Sequence, residues 1–125
     1  MTVGHRDRGQ ATVEFALALP LLALLLLVVV QVGVIVRAQV LVTHAAREAA
    51  RAAAVDPEPA APAHAARASS SLAPDRLAVD VSGRAGPGSR VLVEVRYSLA
   101  TDIPLAGRLI PDLTLTARAT MRVER

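Results

Sequence analysis

The chain has 125 residues, enough for one modest domain, and 53% of them are hydrophobic whereas only 2% are aromatic. It contains no cysteine, which excludes disulfide bonds, thiolate catalysis and cysteine-ligated metals. The formal net charge is +3, and the arginines that carry the positive charge are scattered among acidic neighbours. A nucleic-acid-binding protein would cluster them on one face, with aromatic side chains between them, so we expect no nucleic-acid partner.

The longest apolar stretch runs from Phe15 to Val36 and contains no charged side chain. At about 1.5 Å per residue, a helix over this stretch is about 33 Å long, which matches the hydrocarbon core of a bilayer, about 30 Å thick. Pro20 lies inside it, and because a proline is tolerated in a membrane helix but usually bends it, we predict a kink there. The pattern therefore predicts one transmembrane helix.

A cleaved secretory signal is the main alternative for this stretch. The apolar region of such a signal is normally about 7–15 residues long and is followed closely by a cleavage site of small residues. Here the apolar run is longer, and the small residues Ala52–Ala54 lie far beyond it. A retained membrane anchor is therefore favoured.

The next stretch, Arg37–Val55, contains no glycine or proline and is rich in alanine, the best helix former. We therefore predict one nearly continuous helix from Ala11 to Val55. Residues spaced three and four apart form a polar stripe along it, namely His44, Arg47, Glu48 and Arg51. Small and apolar residues are expected on the other side, where another backbone could approach closely: Leu41, Ala45, Ala49 and Ala52.

Within the polar stripe, His44 and Glu48 have the spacing of two metal ligands on one helix. Two ligands without cysteine are too few for a typical zinc site, so we predict no metal and no cofactor. Solvation, ion pairing and contact with a neighbouring subunit all stay open as roles for the stripe.

Asp56–Pro62 contains three prolines and is predicted to be a stiff linker. A short second helix is expected over Ala63–Leu72. The serine run Ser69–Ser71 lacks the Gly-x-Ser-x-Gly elbow of a hydrolase, and Gly83–Gly88 is not followed by the Gly-Lys-Ser/Thr of a phosphate-binding loop. No pair of acids and no histidine cluster is placed for chemistry, so we expect neither an enzyme nor a small-molecule substrate.

From Arg76 onward, apolar and polar residues alternate, as in half-buried antiparallel strands. Three strands are predicted, with these residues facing a core: Leu77, Val79 and Val81; Val91, Val93, Val95 and Tyr97; Leu113, Leu115, Ala117, Ala119, Met121 and Val123. Gly83–Gly88 is a turn, and Thr101–Asp112 is a loop with room for a helical turn at Leu105–Leu109. The predicted fold class is α+β, with the alanine-rich half of the long helix packed on a small three-stranded antiparallel sheet.

A short motif precedes the apolar helix. Arg8–Ala16 reads Arg-Gly-Gln-Ala-Thr-Val-Glu-Phe-Ala and is followed by Leu19-Pro20. With this motif, the chain resembles the TadE-like family, minor pilins or pseudopilins of the tight-adherence (Tad/Flp) pilus systems. Ala46–Ala54 and Met121–Glu124 are also similar, and the resemblance is sharpest over Arg8–Val55. It implies a pilin-like fold and a part in pilus assembly or in the associated secretion.

The resemblance also implies roles for individual residues. A prepilin peptidase would cut between Gly9 and Gln10. Glu14, with Phe15 beside it, would set the register between subunits, because its carboxylate would meet the amino-terminal ammonium of a neighbour. Each of these charges is costly in lipid alone, and pairing them offsets that cost.

The expected organisation follows from these assignments: a leader over 1–9, a transmembrane helix over 10–36, an extracytoplasmic extension of that helix over 37–55, a linker with a short helix over 56–75, and a small β domain over 76–125. Arginines flank the apolar stretch on both sides, so charge does not set the orientation.

The resemblance implies a single-pass protein of the cytoplasmic (inner) membrane with its amino terminus in the cytoplasm. Its partners would be the lipid bilayer, the prepilin peptidase and other pilins of the Tad machinery. An unprocessed single-pass protein that binds an envelope or cell-surface partner is the alternative.

Overall fold

A computed structural model of the chain describes residues 4–101 and 111–124. The chain divides into two compact units, Met1–Val34 and Ile35–Arg125. One long helix, α1 (Gly4–Val55), contributes residues to both. The predicted continuous helix is thus confirmed, although it begins before Ala11. It includes Pro20, and a kink at that proline stays a prediction.

In the first unit, the large apolar side chains of α1 are exposed. Leu17 is 73% exposed, Leu21 68% and Leu26 65%. A contiguous apolar surface of this kind is unfavourable in water and marks a membrane or interaction surface. In the described part of the chain, α1 is the helix long and apolar enough to span a membrane.

The second unit contains a three-stranded antiparallel sheet. Its strands are β1 (Leu77–Ser82), β2 (Arg90–Leu99) and β3 (Leu113–Arg122), in the order β1-β2-β3. Val95 of β2 lies opposite Val79 on one side and Ala117 on the other. The predicted meander is therefore confirmed.

One face of this sheet packs against α1 and encloses the core. On β2 the buried side chains are those predicted: Val91, Val93, Val95 and Tyr97. On α1 the buried side chains are small: Ala38, Val42, Ala45, Ala46, Ala49, Ala50, Ala53 and Ala54. An alanine face lets the helix backbone lie close to the sheet, so the α+β arrangement predicted from the sequence is confirmed.

The buried face of α1 is wider than the one predicted. Ala45 and Ala49 are fully buried as expected, whereas Leu41 and Ala52 are only half-buried at its margin. The close approach predicted for these small residues is thus made by the chain's own sheet. On β1 and β3, Val81 and Leu113 were predicted to face the core but are 37% and 41% exposed, because they lie near the strand ends, where fewer neighbours cover them.

The connection between α1 and β1 differs from the prediction. The second helix, α2 (Ala61–Ala68), begins and ends earlier than the predicted Ala63–Leu72. Pro62 belongs to its first turn, where a proline is tolerated because the missing N–H would have no helical partner, so it is not part of the linker. The hydroxyls of Ser69 and Ser70 both donate to the carbonyl oxygen of Ala66 where α2 ends.

A single 3-10 turn, Pro74–Arg76, leads into β1 and was not predicted. The predicted helical turn at Leu105–Leu109 lies outside the described residues.

The turn between β1 and β2 depends on glycine at its first position. Gly83 has a φ of 79°, and a Cβ there would lie 2.6 Å from the carbonyl oxygen of Arg90. Both the backbone conformation and the close approach therefore require glycine.

The residues that follow β3 form hydrogen bonds both to the turn before β2 and to the end of α1. The Val123 N–H donates to the Ser89 carbonyl at 2.8 Å, and the Gly88 N–H donates to the Val123 carbonyl at 2.9 Å. The Glu124 N–H donates to the carbonyl of Ala54 at 3.2 Å, which satisfies one of the carbonyls that the last turn of α1 leaves without a helical partner.

Candidate functional site at the start of the apolar helix

The predicted processing site lies within α1. Gly9 is exposed, and a Cβ added to it would meet nothing within 4 Å. Space therefore does not require glycine at this position. A glycine inside a helix costs about 1 kcal/mol relative to alanine, so Gly9 weakens the helix locally, next to the peptide bond expected to be cut.

Gln10 and Glu14 lie one helical turn apart and contact each other. The Gln10 Nε2 donates a hydrogen bond of 3.3 Å to the Glu14 Oε1, and both side chains are exposed. The spacing of four residues allows this contact on one helix face. The bond was not predicted, although the spacing alone would have indicated it.

The carboxylate of Glu14 is the charge that directly precedes the apolar stretch. No ion pair to it is present among the side chains that the structure describes, including that of Arg8. Its neighbours Val13 and Phe15 are 59% and 62% exposed. Inside a bilayer an isolated carboxylate costs about 2.5–3.5 kcal/mol on the insertion scale, and one Gln10 hydrogen bond does not remove that cost.

The structure brings some of the predicted residues together and not others. Two consecutive turns of α1 hold Gly9, Gln10 and Glu14. Pro20 lies further along the same helix, and no hydrogen bond joins it to them among the described residues. The hydroxyl of Thr12 donates to the carbonyl oxygen of Arg8 at 2.9 Å, so it bonds within the helix.

The start of the apolar helix belongs to a segment that matches a known protein family. Residues 9–51 match the TadE-like protein family. No curated protein and no solved structure matches the chain. The resemblance predicted from the motif is confirmed over this segment, which is about a third of the chain.

The TadE-like segment begins at Gly9 and ends at Arg51, so it includes Glu14, the apolar stretch and most of the alanine face of α1. The match indicates a protein related to the Tad pilus, with an amino-terminal helix able to span a membrane. The family is one of pilus components rather than of known enzymes.

The other candidate residues lie on the half of α1 that packs on the sheet, on the side away from the sheet. His44, Arg47 and Arg51 are exposed and Glu48 is half-buried, which agrees with a polar stripe. Across residues 4–101 and 111–124, no group of three or more potential ligands could hold a metal ion.

Proposed function

We propose that this chain is a membrane-anchored minor pilin or pseudopilin that takes part in the assembly of a Tad-type pilus or in the associated secretion. The observation that carries the proposal is the TadE-like match that starts at Gly9 and runs into an exposed apolar helix. A helix with large apolar side chains outside and one acid, Glu14, between the proposed cleavage site and the apolar stretch suits a subunit that is stored in a bilayer and then packs against other subunits.

In this proposal, a prepilin peptidase cuts between Gly9 and Gln10. The new ammonium forms on the residue whose side chain already contacts Glu14. Glu14 then pairs with the ammonium of a neighbouring subunit, and each charge compensates the other in lipid. Glu14 in the first turns of the shortened helix also lies near the positive end of the helix dipole.

We further propose that the protein is inserted once in the cytoplasmic membrane, with the amino terminus in the cytoplasm and residues 37–125 outside. Its partners in this arrangement are lipid, the peptidase and other pilins of the same machinery.

The decisive measurement is the mass of the membrane-extracted protein from cells that contain the peptidase. We expect a chain that begins at Gln10, and we expect Gly9→Val to leave the full-length chain uncut, because a branched side chain replaces the smallest residue beside the scissile bond. The chain offers a matched control in Gly33→Val, since Gly33 lies on the same helix and a Cβ there also meets nothing within 4 Å. The control should be cut normally.

An intact wild-type chain in those cells would contradict the processing step. It would favour an unprocessed single-pass protein whose outer unit binds an envelope or cell-surface partner.

A further inference from the structure

The sheet has a second face, which does not pack against α1. Because side chains alternate along a strand, the residues of β2 between the buried valines lie on this outer face with their neighbours on β1 and β3. Several of them are charged, and the strand register fixes which residue of a neighbouring strand lies opposite each of them.

Near the middle of the outer face, two acids lie directly opposite each other and are compensated. Asp80 of β1 is opposite Glu94 of β2. Arg96 forms ion pairs with both acids, and the Arg118 Nε lies 2.5 Å from the Glu94 Oε2. The repulsion between two like charges is thus balanced by two arginines of the same sheet.

At the end of the same face, two arginines lie directly opposite each other without compensation. Arg90 of β2 is opposite Arg122 of β3, and both are exposed. The neighbouring rung is hydrogen-bonded through Val123, so by the alternation of an antiparallel pair the Arg90–Arg122 rung is the closer, non-hydrogen-bonded kind. Among residues 8–101 and 111–124, neither arginine forms an ion pair.

The surroundings of this arginine pair are those of a contact surface. Leu92, which follows Arg90 on the same face, is 37% exposed. Arg122 also lines a shallow groove with Arg51 of α1 and with Glu124. Glu124 follows β3 by two residues, yet it is not within ion-pair distance of Arg122.

We propose that Arg90 and Arg122 form a docking site for an acidic peptide segment of a partner subunit, whose carboxylates pair with the two guanidinium groups. Each guanidinium group carries a planar fork of donors that pairs bidentately with a carboxylate, and the register places both arginines on one rung of the sheet. The occupant is peptide because β3 is the last strand in the sheet and no described strand pairs with its outer edge. An added strand would place its side chains beside Arg122, within cross-strand reach. That the partner is a fellow pilus subunit rests on the proposed function, whereas the acidic site itself does not.

The charge reversal Arg122→Glu tests the site because stability and binding should move in opposite directions. It turns the like-charge pair into a complementary one, so the full chain in nonionic detergent should melt about 1–8 °C higher than the wild type. A fluorescent hexaglutamate peptide should bind the wild type, and its affinity for the variant should fall about tenfold or more.

Two further variants keep the test specific. Arg67→Glu on α2 changes the net charge by the same amount and should leave peptide binding within about twofold, since its charge lies outside the site. Arg122→Gln removes the repulsion without adding an acid, and it should weaken binding without lowering the melting temperature.

Equal peptide binding by the wild type and Arg122→Glu would overturn the proposal. So would melting temperatures below that of the wild type for both Arg122 variants, because the pair would then be structural. Binding of the wild type to phosphatidylglycerol vesicles but not to hexaglutamate would also overturn it and point to a lipid surface. These measurements use the purified chain and need no peptidase, so a failure of cleavage at Gly9 would leave their outcome unaffected.

Discussion

The two halves of α1 have opposite relations between side-chain size and exposure. In the first unit the helix carries leucine and valine, and these large side chains are exposed, as Leu25 is at 59%. In the second unit the buried face is mostly alanine, and Ala46, Ala49 and Ala50 are fully buried. One continuous helix therefore exposes its large side chains in the first unit and buries its smallest side chains against the sheet in the second.

The difference shows what each half requires. A helix in lipid gains from large apolar side chains, because the bilayer replaces water around them. A helix packed on a sheet has a fixed distance to fill, and here the valines and the tyrosine of β2 supply most of the volume. Alanine therefore fits at most of the buried positions of the helix, and Val42 is the larger exception.

The largest expected effect comes from removing α1 altogether. Eight of the buried core residues lie on α1 between Ala38 and Ala54, so a fragment beginning at Asp56 would expose the valines of β2. We expect no cooperative thermal transition for this fragment, because a bare three-stranded sheet is marginal in water.

A fragment beginning at Ile35 is the matched control and should melt cooperatively. Tyr97 reports on the sheet in both fragments, since it is the one tyrosine, is 7% exposed and has no tryptophan to mask its fluorescence. A cooperative transition of the shorter fragment above about 60 °C, high for a mesophilic domain, would contradict the prediction.

A smaller effect is expected when one buried alanine of α1 is replaced by a large side chain. Ala49→Leu adds three carbons to a fully buried site and should destabilise the second unit by about 1–3 kcal/mol. This corresponds to a melting temperature lower by about 4 °C or more, measured by Tyr97 fluorescence of the full chain in detergent. The reciprocal change Leu25→Ala in the exposed half should leave that transition in place, and an equal loss in both variants would remove the distinction between the halves.

The smallest effect is expected where the covered part of the helix begins. The Gln39 Nε2 donates a hydrogen bond of 3.3 Å to the carbonyl oxygen of Thr116 on β3. Because this bond is long and exposed, Gln39→Ala should cost about 0.5 kcal/mol, or about 2–4 °C in the Tyr97 transition. Gln10→Ala removes a bond of the same length within the exposed half and should not shift that transition. A shift for Gln39→Ala as large as that for Ala49→Leu would show that this contact orders more than its own bond.

Much of the architecture was predictable because it depends on local patterns. The period-two alternation on β2 placed Val91, Val93, Val95 and Tyr97 on the buried face, where the structure has them. The motif around Gly9 and Glu14 led to the family that residues 9–51 match. These signals lie within short stretches of sequence, so they do not need the rest of the fold.

Other features were not predictable because they depend on which strands meet. Nothing local places Arg122 opposite Arg90, since these residues are far apart in the chain and only the register pairs them. The hydrogen bond from Glu124 to Ala54 also depends on the end of β3 reaching the end of α1. The start of α2 at Ala61 differs from the prediction for a local reason, because the first helical turn accepts Pro62 whereas three prolines in a short stretch indicate a linker.

The sequence by itself determined the apolar helix, the positions of Gly9 and Glu14 at its start, and the three alternating strands, because periodicity and composition set these features locally. Only the tertiary structure decided how wide the buried face of α1 is, which charges on the outer face of the sheet compensate one another, and that Arg90 and Arg122 do not. Burial and charge pairing are properties of surfaces that meet, and strand register brings those surfaces together.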